Sequence, residues 1–403
     1  MARIIPPASP LVGGDQDGYA AEAATNDAAA TWGLPDFVFP GTPIAKGAGS
    51  TRELGDTILV VGEYGVVIQV KRRCAPSGDA DKERRWLVKQ TARALSQGVG
   101  TIRSLAGQAV SLENARGRKV VIDGSSRTWL VVVVLDHSNP PVGVVPAVAA
   151  VKHPSVVLLR RDWEFLFEQL KSTHAVAGYV ARVAGEEVEL GEEPARYYDR
   201  ALADQAAPPG PLDPAVLGAG IPVSTPLLPL APAATDDRPA HHLVRVLLEE
   251  IATTRLTSSQ ESDRLRTLAE LDRLPVGQRA GVGKFLLAAM REVSSAPSDG
   301  VMWRMRTLKG GRGQAHLGFG VCSHPHTSDL QEAFGWWAQL RHHELREARG
   351  DDDTLTTVAV LLTPRLAGPR RWDTTSVSVS GATDFTETDI AALREVWPTQ
   401  MAA

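Results

Sequence analysis

A predicted β-hairpin between residues 56 and 71 carries the side chains with the most distinctive chemistry. Two β-branched apolar runs flank a Gly-x-x-Gly turn, a pattern typical of two antiparallel strands. With the turn centred on Glu63 and Tyr64, Asp56 lies opposite Lys71. Side chains alternate between the two faces of a strand, so Gln69 shares a face with Lys71, and Asp56 joins them there. We therefore expect an acid, an amide oxygen and an amine at one end of a sheet.

These groups suit the hydrolysis of a phosphodiester bond. The reaction needs an activated water, neutralisation of the phosphate charge and help for the leaving oxygen, and a Mg²⁺ ion can supply all three. Mg²⁺ prefers oxygen ligands, which Asp56, Gln69 and the backbone carbonyl of Val70 offer. Lys71 would orient the water and stabilise the charge that develops on phosphorus. Glu22, on the first predicted helix, is a candidate outer ligand.

The hairpin also has an ordinary structural explanation. Val66, Ile68 and Val70 could face a core while Gln69 and Lys71 face water, as in many half-solvated antiparallel strands. From the hairpin alone, this explanation stays open beside the catalytic one.

A basic segment follows the hairpin directly. Residues 71–119 carry twelve Lys or Arg and four acids, a net charge of +8 within a chain whose total is −4. Such a patch is expected of a surface that contacts a nucleic-acid backbone, and a solvated helix face is the alternative. The candidate contacts are the basic residues on and before the second predicted helix: Arg72, Arg73, Arg84, Arg85, Lys89 and Arg93.

Length and composition indicate two folded domains in a reducing compartment. The chain has 403 residues, 43% hydrophobic and 22% charged, which are ordinary values for a globular protein. Its two cysteines, Cys74 and Cys322, lie too far apart in the sequence to suggest a disulfide framework. We find no signal peptide and no apolar run of about 20 residues, so we expect a cytoplasmic protein that does not enter the membrane.

The order of predicted elements indicates an α/β layer architecture in the first half of the chain. A tail (1–18) is expected to be disordered, and the first domain (19–204) reads as helix, hairpin, helix, two strands and helix. The strand 128–135 is apolar throughout and is predicted to be buried on both faces. Asp162 is the predicted N-cap of the helix that ends at residue 170. A Pro/Ala-rich linker (205–240) follows.

The second predicted domain (241–403) is a further α/β or α+β unit without an identifiable motif. We predict helices at 241–254, 259–273, 276–293, 328–348 and 386–396, and strands at 301–307, 315–322, 354–363 and 374–380. Cys322, His324 and His326 cluster like zinc ligands but lack a partner pair, so a polar turn is the better explanation. The turn 309–313, the pair Trp336–Trp337 and the acidic run 351–353 are interpreted as structural.

The first half resembles the PD-(D/E)XK restriction-endonuclease superfamily, and most closely its Mrr-like branch, in which Gln-x-Lys replaces Glu-x-Lys. The residues that carry the resemblance are Asp56, Gln69 and Lys71, within the order helix, hairpin, helix, strand. It implies a mixed sheet flanked by helices, with the metal-binding acid at Asp56. Glu22 would correspond to a helix-borne acid of the family, and Gln90 to a polar residue on the helix after the hairpin.

The resemblance implies a Mg²⁺- or Mn²⁺-dependent nuclease that acts on DNA in prokaryotic defence. Two departures bear on activity, because Gly55 stands where the family has proline and Gln69 removes one charge from the metal site. Two other classes of function stay open. The first half could be an inactive scaffold that binds nucleic acid or protein, or residues 241–403 could sense a ligand and gate the nuclease. A homo-oligomer and a protein partner for residues 241–403 are further expectations.

Overall fold

The computed structural model describes the chain in twelve segments. These are residues 7–11, 18–41, 43–46, 50–53, 56–148, 151–206, 232–255, 260–295, 300–310, 314–350, 354–366 and 370–398. The predicted tail (1–18), the predicted linker (205–240), the turn (309–313) and the acidic run (351–353) lie largely or wholly outside them.

The chain forms two compact units that interleave in sequence. The first unit contains residues 1–238 and 256–278, and the second contains residues 239–255 and 279–403. This division differs from the predicted ranges 19–204 and 241–403, because a helix beyond residue 256 packs into the first unit.

The first unit is built around a five-stranded mixed sheet with two small hairpins beside it. Its strands are β1 (Val38–Pro40), β2 (Pro43–Lys46), β3 (Ser50–Glu53), β4 (Thr57–Val61), β5 (Tyr64–Arg72), β6 (Ala109–Glu113), β7 (Lys119–Asp123), β8 (Thr128–Asp136) and β9 (Ser155–Leu159). The large sheet has the order β1-β4-β5-β8-β9, with β5, β8 and β9 parallel and β4 antiparallel to β5. The pairs β2–β3 and β6–β7 form the hairpins.

The hairpin turn is one residue away from the predicted position. Val61 pairs with Tyr64, so Gly62 and Glu63 form a two-residue turn. Gly62 has a φ of +53°, the left-handed conformation that the first central position of a type II′ turn requires and that glycine adopts without strain.

Because the turn lies one residue earlier, each residue of β4 pairs with a residue of β5 two positions earlier than predicted. Thr57 pairs with Ile68, and extending this register by one residue places Asp56 beside Gln69. The predicted pairing of Asp56 with Lys71 is therefore wrong.

The helices of the first unit are α1 (Gly18–Trp32), α2 (Ala80–Leu105), α3 (Arg160–Leu170), α4 (Thr173–Val183) and α5 (Glu193–Ala206). α2 covers the sheet face that carries Val67, Val131 and Val133. Its apolar side chains, which recur at helical spacing, are buried there: Leu87, Ala94, Leu95, Ile102 and Leu105. α1 covers the opposite face, where the hydroxyl of Thr57 donates to Asn26 at 2.6 Å. With helices on both faces, the apolar strands are buried on both sides, which explains why their sequences do not alternate.

α3 begins earlier than predicted, and this changes the role of Asp162. The helix starts at Arg160, so the predicted N-cap position of Asp162 is wrong and its side chain lies inside the first turn. Asp162 is fully buried; Nε of Arg161 lies 3.5 Å from its Oδ1, but neither carboxylate oxygen has a partner in good hydrogen-bond geometry. Burial raises the pKa of Asp162 to about 7; the Arg161 guanidinium opposes this rise, and the nearby Glu193 carboxylate adds to it.

The second unit contains a four-stranded sheet with helices packed around it. Its helices are α6 (Arg238–Thr253), α8 (Val276–Ser294), α9 (Ser328–Ala348) and α10 (Glu387–Val396), and its strands are β10 (Trp303–Leu308), β11 (His316–Cys322), β12 (Thr356–Pro364) and β13 (Trp372–Ser380). Between α6 and α8, α7 (Glu261–Asp272) belongs to the first unit. The sheet order is β10-β11-β12-β13, in which only β11 and β12 are parallel.

The element types of the second unit agree with the sequence expectations. α9 has the predicted bounds, and the other elements differ by a few residues at their ends. In the described part of the chain, no helix combines the length and apolar character needed to span a membrane.

Candidate functional site

Asp56 and Lys71 meet at one end of the central sheet of the first unit. Asp56 directly precedes β4, and its Oδ2 accepts a hydrogen bond from the backbone N–H of Val70 at 2.5 Å. The same oxygen lies 3.7 Å from Nζ of Lys71. Both side chains are about one-fifth exposed, so the pair is accessible to a ligand from solvent without being fully solvated. Asp56 thus reaches Lys71 diagonally across the strands, although the two residues are not cross-strand partners.

Gln69 is buried next to this pair, which does not agree with the simple solvated-strand explanation. Its exposure is only 2%, and it lies on the α2 face of the sheet beside Val133 of β8. Its one described hydrogen bond, from Nε2 to the carbonyl of Ile68, is long at 3.4 Å. A buried amide with so weak a partner is costly in a purely structural role.

Glu22 and Gln90 lie on the two helices that cover opposite faces of the sheet. Glu22 is half-buried on α1, on the face away from Gln69 and Lys71. Gln90 is half-buried on α2, one heptad after the buried Glu83 and therefore on the same side of the helix. The described contacts bring neither residue to Asp56.

The carboxyl ends of the three parallel strands form a polar edge. Arg72 at the end of β5 lies 3.4 Å from Asp136 at the end of β8. Arg160, which follows β9, donates to the same Asp136 carboxylate at 2.9 Å. Ligands of open α/β sheets bind at this edge because strand ends and loops leave polar groups there. Lys71 is part of it.

A second ion-pair network stands beside this edge. Glu83 accepts two hydrogen bonds from Arg73, at 2.8 and 2.9 Å, and one each from the backbone and hydroxyl of Ser77. The Arg73 guanidinium and the Ser77 donors hold the pKa of Glu83 well below its usual range. Nδ1 of His137 accepts from the backbone of Asn139, so Nε2 carries the proton and donates to Glu83 at 3.0 Å.

The six predicted DNA-contacting residues fall into two groups. Arg72 and Arg73 form the ion pairs just described, and Arg84 donates to the carbonyls of Val142 and Gly143 at 3.0 Å each. These three side chains hold the fold together. The other three are exposed at intervals of four residues on α2 and form one cationic stripe: Arg85, Lys89 and Arg93.

The donor set at Asp56 suits Mg²⁺ held together with a substrate rather than a protein cage. Among the described residues, no group of three or more His, Cys, Asp or Glu side chains is placed to hold a metal ion. Asp56 supplies one carboxylate, and Gln69 and the Val70 carbonyl are the neighbouring oxygens. Mg²⁺ is commonly bound through one or two carboxylates, with waters and substrate phosphates completing its shell. Asp56, Gln69 and the Val70 carbonyl are thus the residues that could hold a magnesium ion whose remaining ligands come from water and phosphate.

The other predicted candidates have structural roles where they are described. Cys322 is buried in the core of the second unit, where burial raises its pKa. Of the other histidines of the second unit, His342 is buried between Thr357 and the carbonyl of Gly381, at 2.9 Å from each. Trp337 stacks on Phe334 in the core, as predicted, but Trp336 is 44% exposed, so the predicted core role is wrong for Trp336.

Four residues of these networks were not predicted from the sequence: Glu83, Asp136, His137 and Arg160. The signal for two of them was present, because Asp136 and His137 directly follow the buried strand β8, where a parallel sheet exposes its carboxyl end. Glu83 could not be separated from the other charges of α2 by spacing alone.

Comparison of the chain with protein-family models, curated proteins and solved structures finds no match.

Proposed function

We propose that the first unit is a Mg²⁺-dependent nuclease that hydrolyses phosphodiester bonds of DNA. The observation that carries the proposal is the convergence of Asp56 and Lys71, with buried Gln69 beside them, at the carboxyl edge of the sheet. A carboxylate, an amide oxygen and an ammonium group are the donors that a metal-assisted attack on a phosphodiester uses.

The order of elements supports the same proposal. The resemblance implied helix, hairpin, helix and strand in a mixed sheet, and α1, β4–β5, α2 and β8 follow one another in that order. Lys71 lies on β5, the central strand of the sheet, which would fix its backbone firmly.

Each residue has a distinct role in the proposed reaction. Bound Mg²⁺ would supply Lewis-acid activation of the phosphate and of a water. Asp56 is held by the Val70 N–H, which aims its carboxylate toward the strand edge where Gln69 and the Val70 carbonyl add oxygens. Lys71 would donate to a non-bridging phosphate oxygen and stabilise the charge that develops there. Its 3.7 Å separation from Asp56 leaves its ammonium hydrogens available for that contact.

The exposed cationic stripe on α2 supports DNA, either duplex or single-stranded, as the partner. Arg85, Lys89 and Arg93 repeat every four residues, about 6 Å along the helix, which is comparable to the spacing of phosphates along a nucleic-acid strand. These contacts would position the backbone without reading its sequence.

The test is plasmid cleavage by purified full-length protein with Mg²⁺ or Mn²⁺, comparing wild type with Lys71→Met. Methionine keeps most of the length of the side chain and removes its charge, so we expect a loss of about 100-fold or more in cleavage rate. Lys119→Met is the matched control, since Lys119 is exposed on β7 outside the site. Equal cleavage by wild type and Lys71→Met refutes the proposal, as does the absence of cleavage by wild type with either metal.

A second candidate is a DNA-binding scaffold without catalysis. Two observations favour it. Oδ2 of Asp56 accepts from the backbone N–H of Val70, which also completes the end of the β4–β5 ladder. Gln69 is neutral where a glutamate would add a charge to a metal site. For the scaffold, Lys89→Ala should weaken DNA binding, while Lys71→Met leaves binding unchanged and no cleavage occurs. Binding can be followed by fluorescence anisotropy as a function of salt, because each lost phosphate contact reduces the salt dependence by about one ion.

A further inference from the structure

A cavity of about 480 Å³ lies wholly within the second unit, apart from the proposed nuclease site. Its walls come from the edge strand β10, the C-terminal half of α9 and the end of α10. This volume is in the range of small-molecule sites, which are usually apolar with a few polar groups. The lining residues that matter most are Trp303, Trp337, Trp397, Lys309 and His316.

Three tryptophans give the cavity an aromatic wall. Trp303 and Trp397 form an edge-to-face pair with ring centroids 5.1 Å apart. This geometry uses one face of one ring and leaves other ring surface for a third partner. Trp337 closes the cavity from below: it packs against Gly318, where an added Cβ would come within 2.7 Å of the indole.

The rim of the cavity carries more positive than negative charge. Arg341 and Arg394 are both paired with Glu344, at 2.6 and 3.3 Å. Lys309 is exposed at the rim, whereas Arg306 points to the other face of the sheet, where it donates to the carbonyl of Gly281 and lies over the ring of Phe285 on α8. An anionic group of a ligand can therefore be bound at this rim.

A buried histidine supplies a polar group inside the cavity. His316 is 3% exposed, and its Nδ1 has no hydrogen-bond partner. Burial, with the nearby charges of Lys309 and Arg349, lowers its pKa to about 4, so the imidazole is neutral at physiological pH. A neutral imidazole can exchange a hydrogen bond with a ring heteroatom of a ligand, which would remove the cost of leaving Nδ1 unpaired.

We propose that this cavity binds a nucleoside monophosphate or a close chemical analogue. Trp303 and Trp397 would stack on the planar base, His316 would hydrogen-bond to it, and Lys309 would hold the phosphate at the rim. The inference goes beyond the proposed nuclease activity, because it concerns residues of the second unit only.

Isothermal titration calorimetry of the full-length protein tests the proposal. AMP and GMP are titrated in a metal-free buffer containing EDTA, so that the result is independent of any nuclease activity, and adenosine and inorganic phosphate are titrated as part-ligands. We expect saturable binding of at least one nucleotide, about tenfold or more tighter than binding of either part-ligand.

Variants locate the binding to the cavity. Trp303→Ala and Lys309→Glu should each weaken nucleotide binding about tenfold or more, since stacking and a charged contact each contribute on this scale. Trp336→Ala is the matched control, because Trp336 is 44% exposed on α9 and does not line the cavity. Because Lys309 is exposed, Lys309→Glu should fold like wild type, and it still tests the proposal if Trp303→Ala is too unstable to measure. Absence of saturable binding, equal binding of phosphate alone, or full affinity in Lys309→Glu overturns the proposal.

Discussion

Asp162 should make the first unit less stable as pH rises, and Asp162→Asn should remove that dependence. The carboxyl is fully buried, and its pKa of about 7 compares with an ordinary value of 3.8. Because the folded state binds the proton more tightly than the unfolded state, the free energy of unfolding falls as pH rises from about 4 to about 7 and levels off above.

The magnitude follows from the pKa difference. Each unit of difference corresponds to about 1.4 kcal/mol, so the interval between the two values represents about 4 kcal/mol in total. Between pH 5 and pH 8, where the unfolded aspartate is already ionised, about 3 kcal/mol remains. Asparagine also leaves a buried amide, which adds a cost that does not depend on pH. The test is therefore how the difference in free energy of unfolding between Asp162→Asn and wild type changes with pH, and not its value at one pH.

Urea unfolding of wild type and Asp162→Asn at pH 5 and pH 8 measures this change. Relative to wild type, the variant should gain about 3 kcal/mol on going from pH 5 to pH 8. Asp199→Asn, at an exposed aspartate of α5, is the matched control and should give the same difference at both pH values. A carboxyl titration of Asp162 by ¹³C NMR gives a direct check. A midpoint below pH 5, or a variant-to-wild-type difference independent of pH, would refute the reasoning.

Three further predictions concern the hairpin and its surroundings. The melting temperature of Gln69→Glu should rise more between EDTA and Mg²⁺ than that of wild type, because the second carboxylate strengthens metal binding. Equal rises in the two proteins would argue against Gln69 as a ligand. Gly62→Ala should destabilise the first unit by about 1 kcal/mol in denaturant unfolding, since φ of +53° is strained for alanine, and no loss would contradict the type II′ turn. Glu83→Gln should lower the melting temperature at pH 7, and the deficit should shrink below pH of about 4; there wild-type Glu83, whose pKa is depressed by Arg73, loses its stabilisation as well. A deficit independent of pH would contradict this ion-pair role.

The strands were the most predictable part of the fold. Continuous β-branched runs such as Val131–Val134 can be buried on both faces only in a sheet covered on both sides, and β8 is such a strand. The helices of the second unit were equally predictable from the spacing of their apolar residues. The hairpin β6–β7 was missed, because short strands with polar faces resemble loops in sequence. The hairpin β2–β3 and the helix α4 were not predicted either.

The candidate site was only partly predictable. The sequence identifies Asp56, Gln69 and Lys71 as polar residues near a turn, but their geometry depends on a register that one glycine conformation at Gly62 determines. The burial of Gln69 depends on how α2 packs over β5, which no local pattern encodes. The ion pairs of Arg72 and Arg73 depend on partners ten or more positions away in sequence, on another strand or on a helix.

The interleaving of the two units has a consequence for how the chain is made. α7 completes the first unit through Asp272. The Asp272 carboxylate accepts a hydrogen bond from the backbone N–H of His174 at 2.9 Å, and the backbone carbonyl of Asp272 accepts one from the hydroxyl of Ser172 at 2.6 Å. On the ribosome, the first unit must therefore wait for residues beyond 240, including all of α6, before it can close. Synthesis that stops near residue 240 would release a nascent chain with those partners unsatisfied, which makes it a substrate for chaperones and proteases.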